Sequence, residues 1–464
     1  MSLLLGIYHR LPYGARCLAA GLRGLYLERW RYSDQTPERI EEALAREAWP
    51  AERWRSWQAE ELASLLHRAA TEVPYYRELW SRRRASGDRR PWEVLGNWPV
   101  LSKEEVRGRP EAFLADRCDP RRMYVEHTSG STGTPLELWW SRETTRRWYA
   151  LVEARLRRWH GLSRHRPWAL LGGQLVAPAR QKTPPFWVWN RPQQQLYLSS
   201  YHLAPGTVAH YLEALDHHRV EHLLGYPSGM AALARMALDE GLSAPRVKAV
   251  LSNAEPLYEH QRRDIEELFE CPVRDSYGMA ELACAASECE AGHLHIWPEV
   301  GHLEILSDAG DEPSDPGTAG RLVATGLLNR DMPLIRYEVG DRGAAPKEAA
   351  ACPCGRQLPE LSSLEGRLDD VIVTPEGRRI GRLDPIFKGP YPIREAQITQ
   401  VSRGRVILAV VAAKGFTPAH GEELRQRLED RLGPSMKISV KVVDNLPRNR
   451  AGKLRAVVSR ISPS

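Results

Sequence analysis

His127-Thr-Ser-Gly-Ser-Thr-Gly-Thr-Pro135 sets hydroxyls and glycines where a main chain must wrap closely around phosphate oxygens. Glycine tolerates the backbone angles that such a wrap needs and leaves N–H groups uncovered, while Thr128, Ser129, Ser131 and Thr132 add hydroxyl donors. The stretch reads as a phosphate loop. No Gly-Lys-Ser/Thr closes it, so it is not a Walker A loop, and the cation that a triphosphate requires has to come from elsewhere in the chain.

Pro447-Arg-Asn-Arg-Ala-Gly-Lys453-Leu-Arg455 meets that requirement. Between the two stretches lie Ser276-Tyr-Gly-Met-Ala-Glu281, Ile335-Arg-Tyr-Glu-Val-Gly-Asp341 and Gly366-Arg-Leu-Asp-Asp370. A single Ser/Thr/Gly loop is more often an ordinary turn, but five signatures in this order are not. The chain from about residue 70 to about residue 460 resembles the adenylate-forming superfamily of acyl-CoA synthetases. It is most similar to the phenylacetate–CoA ligase branch, which includes CapK-like proteins of capsule biosynthesis and synthetases that adenylylate a deazaflavin coenzyme.

At 464 residues the chain is too long for one hydrophobic core. Strand-like runs at Trp168 to Leu171, His222 to Gly225 and Val247 to Leu251 alternate with helical runs at Val208 to His218, Gly229 to Glu240 and Glu259 to Phe269. Such alternation predicts α/β layers with parallel sheet. A further strand-like run, Trp98 to Lys103, leads into a capped helix. Residues 1–70 read as an accessory helical segment, with one helix over Glu38 to Ala48, opened by a Thr36 cap and Pro37, and a second over Ala51 to Ala70. With the resemblance, residues 71–368 become a large multi-sheet adenylation domain and 369–464 a small, mobile α+β lid. The lid opens on a hairpin at Val371 to Thr374, continues through a strand at Val406 to Val411, a helix at Pro418 to Leu432 and a strand at Lys437 to Val443, and ends by presenting Lys453.

The 65 basic and 59 acidic residues leave a net charge of +6, too dilute to argue for a nucleic-acid partner. No apolar run approaches the roughly 18 residues that span a bilayer. The start of the chain lacks the basic opening of a signal peptide, so a cytoplasmic location is expected. Leu11 to Trp30 mixes Leu, Tyr and Trp with Arg16, Arg23 and Arg29; the pattern permits a surface helix resting on anionic lipid or docked on its own domain, and docking is the preferred reading. Any membrane contact is peripheral.

Seven cysteines, an odd number, argue against a disulfide framework. Cys289 and His295 form one candidate ligand pair, and Cys352 and Cys354 another; thiolate and imidazole in fours suit a structural Zn²⁺. His293 and Cys284 compete for places in this set, whereas Cys17, Cys118 and Cys271 stand apart as packing residues.

The resemblance assigns further roles residue by residue. It implies that Thr128, Ser129, Gly130, Ser131 and Gly133 bind nucleotide phosphates, with Thr132 and Lys453 catalytic. Ala254, Glu255 and Pro256 form the adenine wall; Tyr277 flanks the base, with Gly278 and Met279 beside it. Glu281 is both catalytic and a Mg²⁺ ligand, since a carboxylate oxygen suits that ion. Asp341 accepts the ribose hydroxyls, Arg367 contacts the nucleotide, Asp369 is the hinge, and Tyr226, Pro227 and Ser228 lie near the acid.

The reaction so implied has two steps. ATP and a carboxylic acid give an acyl-adenylate, which coenzyme A captures as a thioester. Trp139, Trp140, Phe186, Trp187 and Trp189 suit either an aromatic acid or the core, and the core is preferred for them. Expected partners are therefore ATP/AMP, a carboxylic acid and coenzyme A, with a homodimer left open. No carrier-domain serine motif is present, so a stand-alone ligase is expected. Alternatives are an adenylyltransferase, an acyl ligase with another acceptor, or a non-catalytic scaffold of envelope polysaccharide assembly.

Overall fold

The computed structural model describes residues 3–128, 136–178, 181–348, 350–365, 372–375, 379–380, 383, 386, 391–433, 435–448 and 454–461. The fold is α/β, with several sheets and a smaller four-stranded sheet near the C-terminus. Contacts divide the chain into two compact units that interleave in sequence: residues 1–26, 162–275 and 366–464 form one, and residues 27–161 and 276–365 the other.

The first unit is built on a mostly parallel sheet. Strand Trp168–Gly172 pairs in parallel with Gln195–Ser199 on one side and with His222–Gly225 on the other. Beyond His222–Gly225 follow Ala249–Ser252 and then Val273–Gly278, paired here through Val273, Arg274 and Asp275. Trp187–Asn190 closes the far edge, antiparallel to Gln195–Ser199. These strands are short apolar runs because helices cover them: Val208–His217, Pro227–Asp239 and Glu259–Phe269 share one buried core with Leu171, Leu198, Leu223 and Val250. Phe186 is fully buried in that core, with Trp187 and Trp189 packed against it, as the preferred reading holds.

The strand order reverses between Trp168–Gly172 and His222–Gly225, which makes their carboxyl ends a topological switch point, where open α/β sheets take ligands. Gly225 sits there under tight constraint, since a Cβ on it would lie 2.4 Å from the Leu171 carbonyl oxygen. Tyr226, Pro227 and Ser228 follow it directly, with Pro227 in the first turn of the next helix, where its missing N–H costs nothing.

The C-terminal part of the same unit is a four-stranded sheet ordered Lys437–Val442, Arg405–Ala412, Ile393–Ser402 and Val457–Ser459. Helix Pro418–Leu432 covers it through Leu424, Leu428 and Leu432. Ile372–Val373 pairs with Arg379–Ile380 as the expected hairpin. Strand Ile393–Ser402 is an element that the sequence reading passed over.

The second unit is helical at its start and antiparallel after residue 276. Helices Thr36–Arg46 and Ala51–Glu72 lie close to their expected bounds. Thr36 is not the cap: Gln35 holds that position without a side-chain bond, and the Thr36 hydroxyl accepts from the Ser33 N–H at 2.8 Å. The expected strand before Lys103 shrinks to one bridge, Leu101 to Tyr337, whereas the helix Lys103–Gly108 does carry a full capping box between Ser102 and Glu105. Gly301–Leu306, Gly320–Gly326, Tyr337–Ala344 and Ser363–Glu365 form an antiparallel sheet. The strand end Ser276 to Gly278 pairs with Ala285–Glu288, which pairs with Leu294–Ile296 and so with Glu360–Leu361.

Candidate active site

In the second unit, strands Tyr124–His127 and Glu137–Trp140 run antiparallel to each other and bring the two ends of the phosphate-loop stretch together. The Thr128 N–H donates to the Leu136 carbonyl at 3.0 Å, and the Leu136 N–H donates to the Thr128 hydroxyl at 2.9 Å. Thr128 is buried and its hydroxyl therefore serves the loop's own closure. Ser129, Gly130, Ser131, Thr132 and Gly133 lie outside the described residues, as do Arg367, Asp369 and Lys453.

Tyr277 and Asp341 meet directly. The phenol donates to Asp341 Oδ2 at 2.8 Å, which fixes the orientation of the carboxylate. Burial, with the Asp341 charge beside it, pushes the Tyr277 hydroxyl well above its ordinary pKa, so it remains a donor at any working pH. Cys284 is buried next to this pair, with its thiol raised by burial, and is not part of the metal-ligating group; its candidacy there falls because it faces Tyr277. Gly278 has only ordinary van der Waals neighbours, so packing does not demand glycine there, and Met279 follows it in the turn.

Glu281 is 8% exposed, and its Oε1 accepts from Lys103 Nζ at 3.0 Å and from the Tyr337 hydroxyl at 3.0 Å. Both contacts fall on one oxygen. Oε2 is the atom by which Glu281 fits a Mg²⁺ ligand, although the Lys103 ammonium already supplies one positive charge. Lys103 and Tyr337 were not singled out in the sequence. Lys103 reads there as the start of a helix, and only the pairing of Leu101 with Tyr337 brings both residues toward Glu281. Trp139 and Trp140 are buried, the latter donating to the Ala280 carbonyl at 3.1 Å, so they too are packing residues.

In the first unit, Ala254 has φ +65°, an unusual conformation for a residue with a Cβ, in the turn after strand Ala249–Ser252. That turn aims Glu255 at the start of helix Pro227–Asp239, where Oε2 accepts from the Ser228 N–H at 3.2 Å. A carboxylate at a helix N-terminus is favoured by the unpaired N–H groups there. Glu255 Oε1 accepts from the Leu454 N–H at 2.8 Å. Arg448 donates to the Ser228 hydroxyl at 3.0 Å and pairs closely with Glu395. Burial raises the carboxyls of both Glu255 and Glu395 above the ordinary range, against the pull of Arg448. Tyr226 is pushed up to about 12 by burial, with the nearby Glu255 charge acting in the same direction. Pro256 follows in the same loop. Ser228 at the helix start, Glu255 of the loop after Ala249–Ser252, and Arg448 and Leu454 of the C-terminal basic stretch thus share one bonded cluster.

Cys289, His295, Cys352 and Cys354 converge in the second unit, with ligand atoms all within 4.8 Å of one another. Cys289 Sγ lies 3.7 Å from Cys352 Sγ, and Cys354 Sγ lies 3.3 Å from His295 Nε2. A tetrahedron with Zn–S bonds of about 2.3 Å has sulfur–sulfur edges of roughly 3.8 Å. His295 Nδ1 meets the Leu358 carbonyl at 3.3 Å, which leaves Nε2 to face the sulfurs. The four side chains are a group able to hold a metal ion. His293 bonds Glu360 at 2.8 Å from an exposed position and, with Cys352 and Glu360, forms a second group able to hold a metal ion, so it stays an alternative to the more buried His295 set.

Comparison with known proteins agrees with this arrangement. Residues 196–328 match the AMP-binding enzyme family, and residues 372–460 match the CapK C-terminal domain. Protein CapK of Staphylococcus aureus is 24% identical over 83% of this chain and 85% of its own length. Phenylacetate-coenzyme A ligase of Thermus thermophilus is 25% identical over 89% of this chain and 98% of its own. Among solved structures, 2-hydroxyisobutyryl-CoA ligase in the postadenylation state, in complex with 2-HIB-AMP, shares the fold with a TM-score of 0.67 at 21% identity, over 89% of this chain and 91% of that one. The ordered motifs, the α/β architecture and these matches together support an adenylate-forming enzyme similar to the branch of CapK and the phenylacetate–CoA ligases.

Proposed function

We propose that the protein is an AMP-forming acid–thiol ligase: it activates a carboxylic acid with ATP through an acyl-adenylate and transfers the acyl group to coenzyme A. The observation that carries this reading is the bond between Tyr277 and Asp341, which orients a carboxylate beside a ring suited to stack on a base. The activities of the relatives named above support it.

In the first step an acid oxygen bonds to the α-phosphorus of ATP as the bond to pyrophosphate breaks. In the second the thiol sulfur bonds to the acyl carbon and AMP leaves. Neither step needs a covalent enzyme intermediate, so the chain contributes positioning and charge. Asp341 holds the ribose, while Ala254, Glu255 and Pro256 line the adenine. Thr132 and the loop N–H groups of Ser129 to Gly133 take phosphate oxygens, and Lys453 offsets the negative charge that builds up during adenylation. Mg²⁺, when bound, supplies further counter-charge to the phosphates, and Glu281 would hold it. Residues 71–368 act as the adenylation domain and 369–464 as a lid pivoting at Asp369, with 1–70 accessory. Cys289, His295, Cys352 and Cys354 hold a structural Zn²⁺, since four protein ligands leave no open position for chemistry.

Tyr226, Pro227 and Ser228 border the acid, at the switch point of the parallel sheet. Product analysis with ATP, coenzyme A and a panel of aromatic and short aliphatic acids tests the reading. AMP and a thioester in equal amounts support it; AMP left covalently on a hydroxyl acceptor would identify an adenylyltransferase instead.

A further inference from the structure

The N-terminal helices Leu3–Arg10 and Tyr13–Arg31 present two faces with opposite character. One face is docked on the first unit's own chain. Cys17 Sγ accepts from the Trp189 N–H at 3.4 Å, Gly21 packs on Pro192, and a Cβ on Gly24 would lie 2.2 Å from the Asn190 side-chain oxygen. Arg16 reaches Gln181 at 3.2 Å, and Tyr8 and His9 bond the Val176 and Leu175 carbonyls. The small residues at 17, 21 and 24 follow helical spacing, so this contact is a continuous seam.

One residue further on, with the same spacing, Leu18, Leu22 and Leu25 are 66%, 61% and 49% exposed. Ile7 on the preceding helix is 52% exposed. Nine large apolar side chains are exposed among the described residues, and five of them fall within the first 26, so the patch is not the scatter of a normal surface. The docking preferred from the sequence therefore accounts for one face and leaves the leucine face outward.

Charge identifies what covers it. Residues 3–31 hold five arginines against the single acid Glu28, and Arg10, Arg23 and Arg29 are exposed around the leucines. A second copy laid across the stripe by a two-fold axis near Leu22 would set Arg23 near its own counterpart, a like-charge arrangement that opposes pairing. A negatively charged lipid surface accepts both the leucines and the arginines. We propose that this leucine face rests on the surface of an anionic bilayer. The association is peripheral, since no helix among the described residues is long and apolar enough to cross a membrane.

Flotation of the full chain with vesicles of phosphatidylcholine alone, or of phosphatidylcholine with phosphatidylglycerol, tests this. Expected is partitioning at least about tenfold stronger onto the anionic vesicles, weakened by added salt. The combined Leu18→Gln, Leu22→Gln and Leu25→Gln variant should lose it while its circular dichroism and melting stay unchanged, because those side chains are already in water. Arg23→Gln with Arg29→Gln should lower it independently, without touching the leucines. Equal partitioning on both vesicle types, none on either, or full binding by the leucine variant would overturn the proposal. So would light scattering that shows a leucine-dependent dimer without lipid.

Discussion

Glu255 Oε1 accepts the Leu454 N–H at 2.8 Å, so a half-buried carboxylate in the loop after strand Ala249–Ser252 anchors the residue that follows Lys453 in the chain. The other oxygen of Glu255 holds the N-terminus of the helix that carries Ser228. One side chain therefore links the helix start at Ser228 to the C-terminal stretch, and its protonation state bears on both.

Burial raises the Glu255 carboxyl above the ordinary carboxylate range. The folded state then holds this proton more tightly than the unfolded chain, so the group's contribution to stability is complete below about pH 4.5 and is lost as pH rises through the raised folded value. Glu255→Gln carries no such titration. Urea unfolding should show the stability of the variant relative to wild type increasing as pH goes from about 4.5 to 7; a difference independent of pH would contradict the raised carboxyl.

Tyr277→Phe keeps the ring and removes the hydroxyl that orients Asp341. A hydrogen bond to a charged group is worth about 1.5–3 kcal/mol, so the KM for ATP should rise by about tenfold or more, with the KM for the acid little changed. Equal rises for both substrates would mean that the pair supports the fold and not the ribose.

Lys103→Met removes one of two donors from the buried Glu281 carboxylate. Stability without metal should fall by about 1–3 kcal/mol, and Mg²⁺ should restore part of it, because the cation that competes for Glu281 has gone. A Mg²⁺ response identical to that of wild type would remove Glu281 as a metal ligand.

Cys352→Ser with Cys354→Ser halves the ligand set of the Cys/His group. Protein purified without chelator should carry about one equivalent of Zn²⁺ in the wild type and almost none in the variant, whose melting should drop by roughly 5–10 °C with little change in ATP affinity. A wild type free of metal, with its thiols reduced, would leave the four residues as ordinary packing.

Much of this was legible in the sequence, for definable reasons. The helices Glu259–Phe269 and Pro418–Leu432 and the strand His222–Gly225 have the expected bounds because their apolar spacing and end residues agree. The four candidate metal ligands were found from their spacing and side-chain chemistry, although some sixty residues separate the pairs, and the structure brings them together. Lys103 was not found, since a lysine in the first turn of a helix carries no local mark of a partner 178 positions away. Arg448, a basic residue of the C-terminal stretch, bonds Ser228 and Glu395, partners that nothing in the local sequence marks. The strand Ile393–Ser402 was missed because Arg394, Glu395, Gln397 and Gln400 break up its apolar pattern, and the buried Gln400 is satisfied by partners distant in sequence, the Val373 backbone among them.

Acid-dependent exchange of labelled pyrophosphate into ATP, without coenzyme A, tests the adenylation claim most directly. Exchange should require both an acid and Mg²⁺, and should fall by about 100-fold or more in Lys453→Ala, the usual cost of losing one charged transition-state donor. Exchange in Lys453→Ala equal to wild type, or none with any acid while the protein binds ATP, would contradict an acyl-adenylate made by this site.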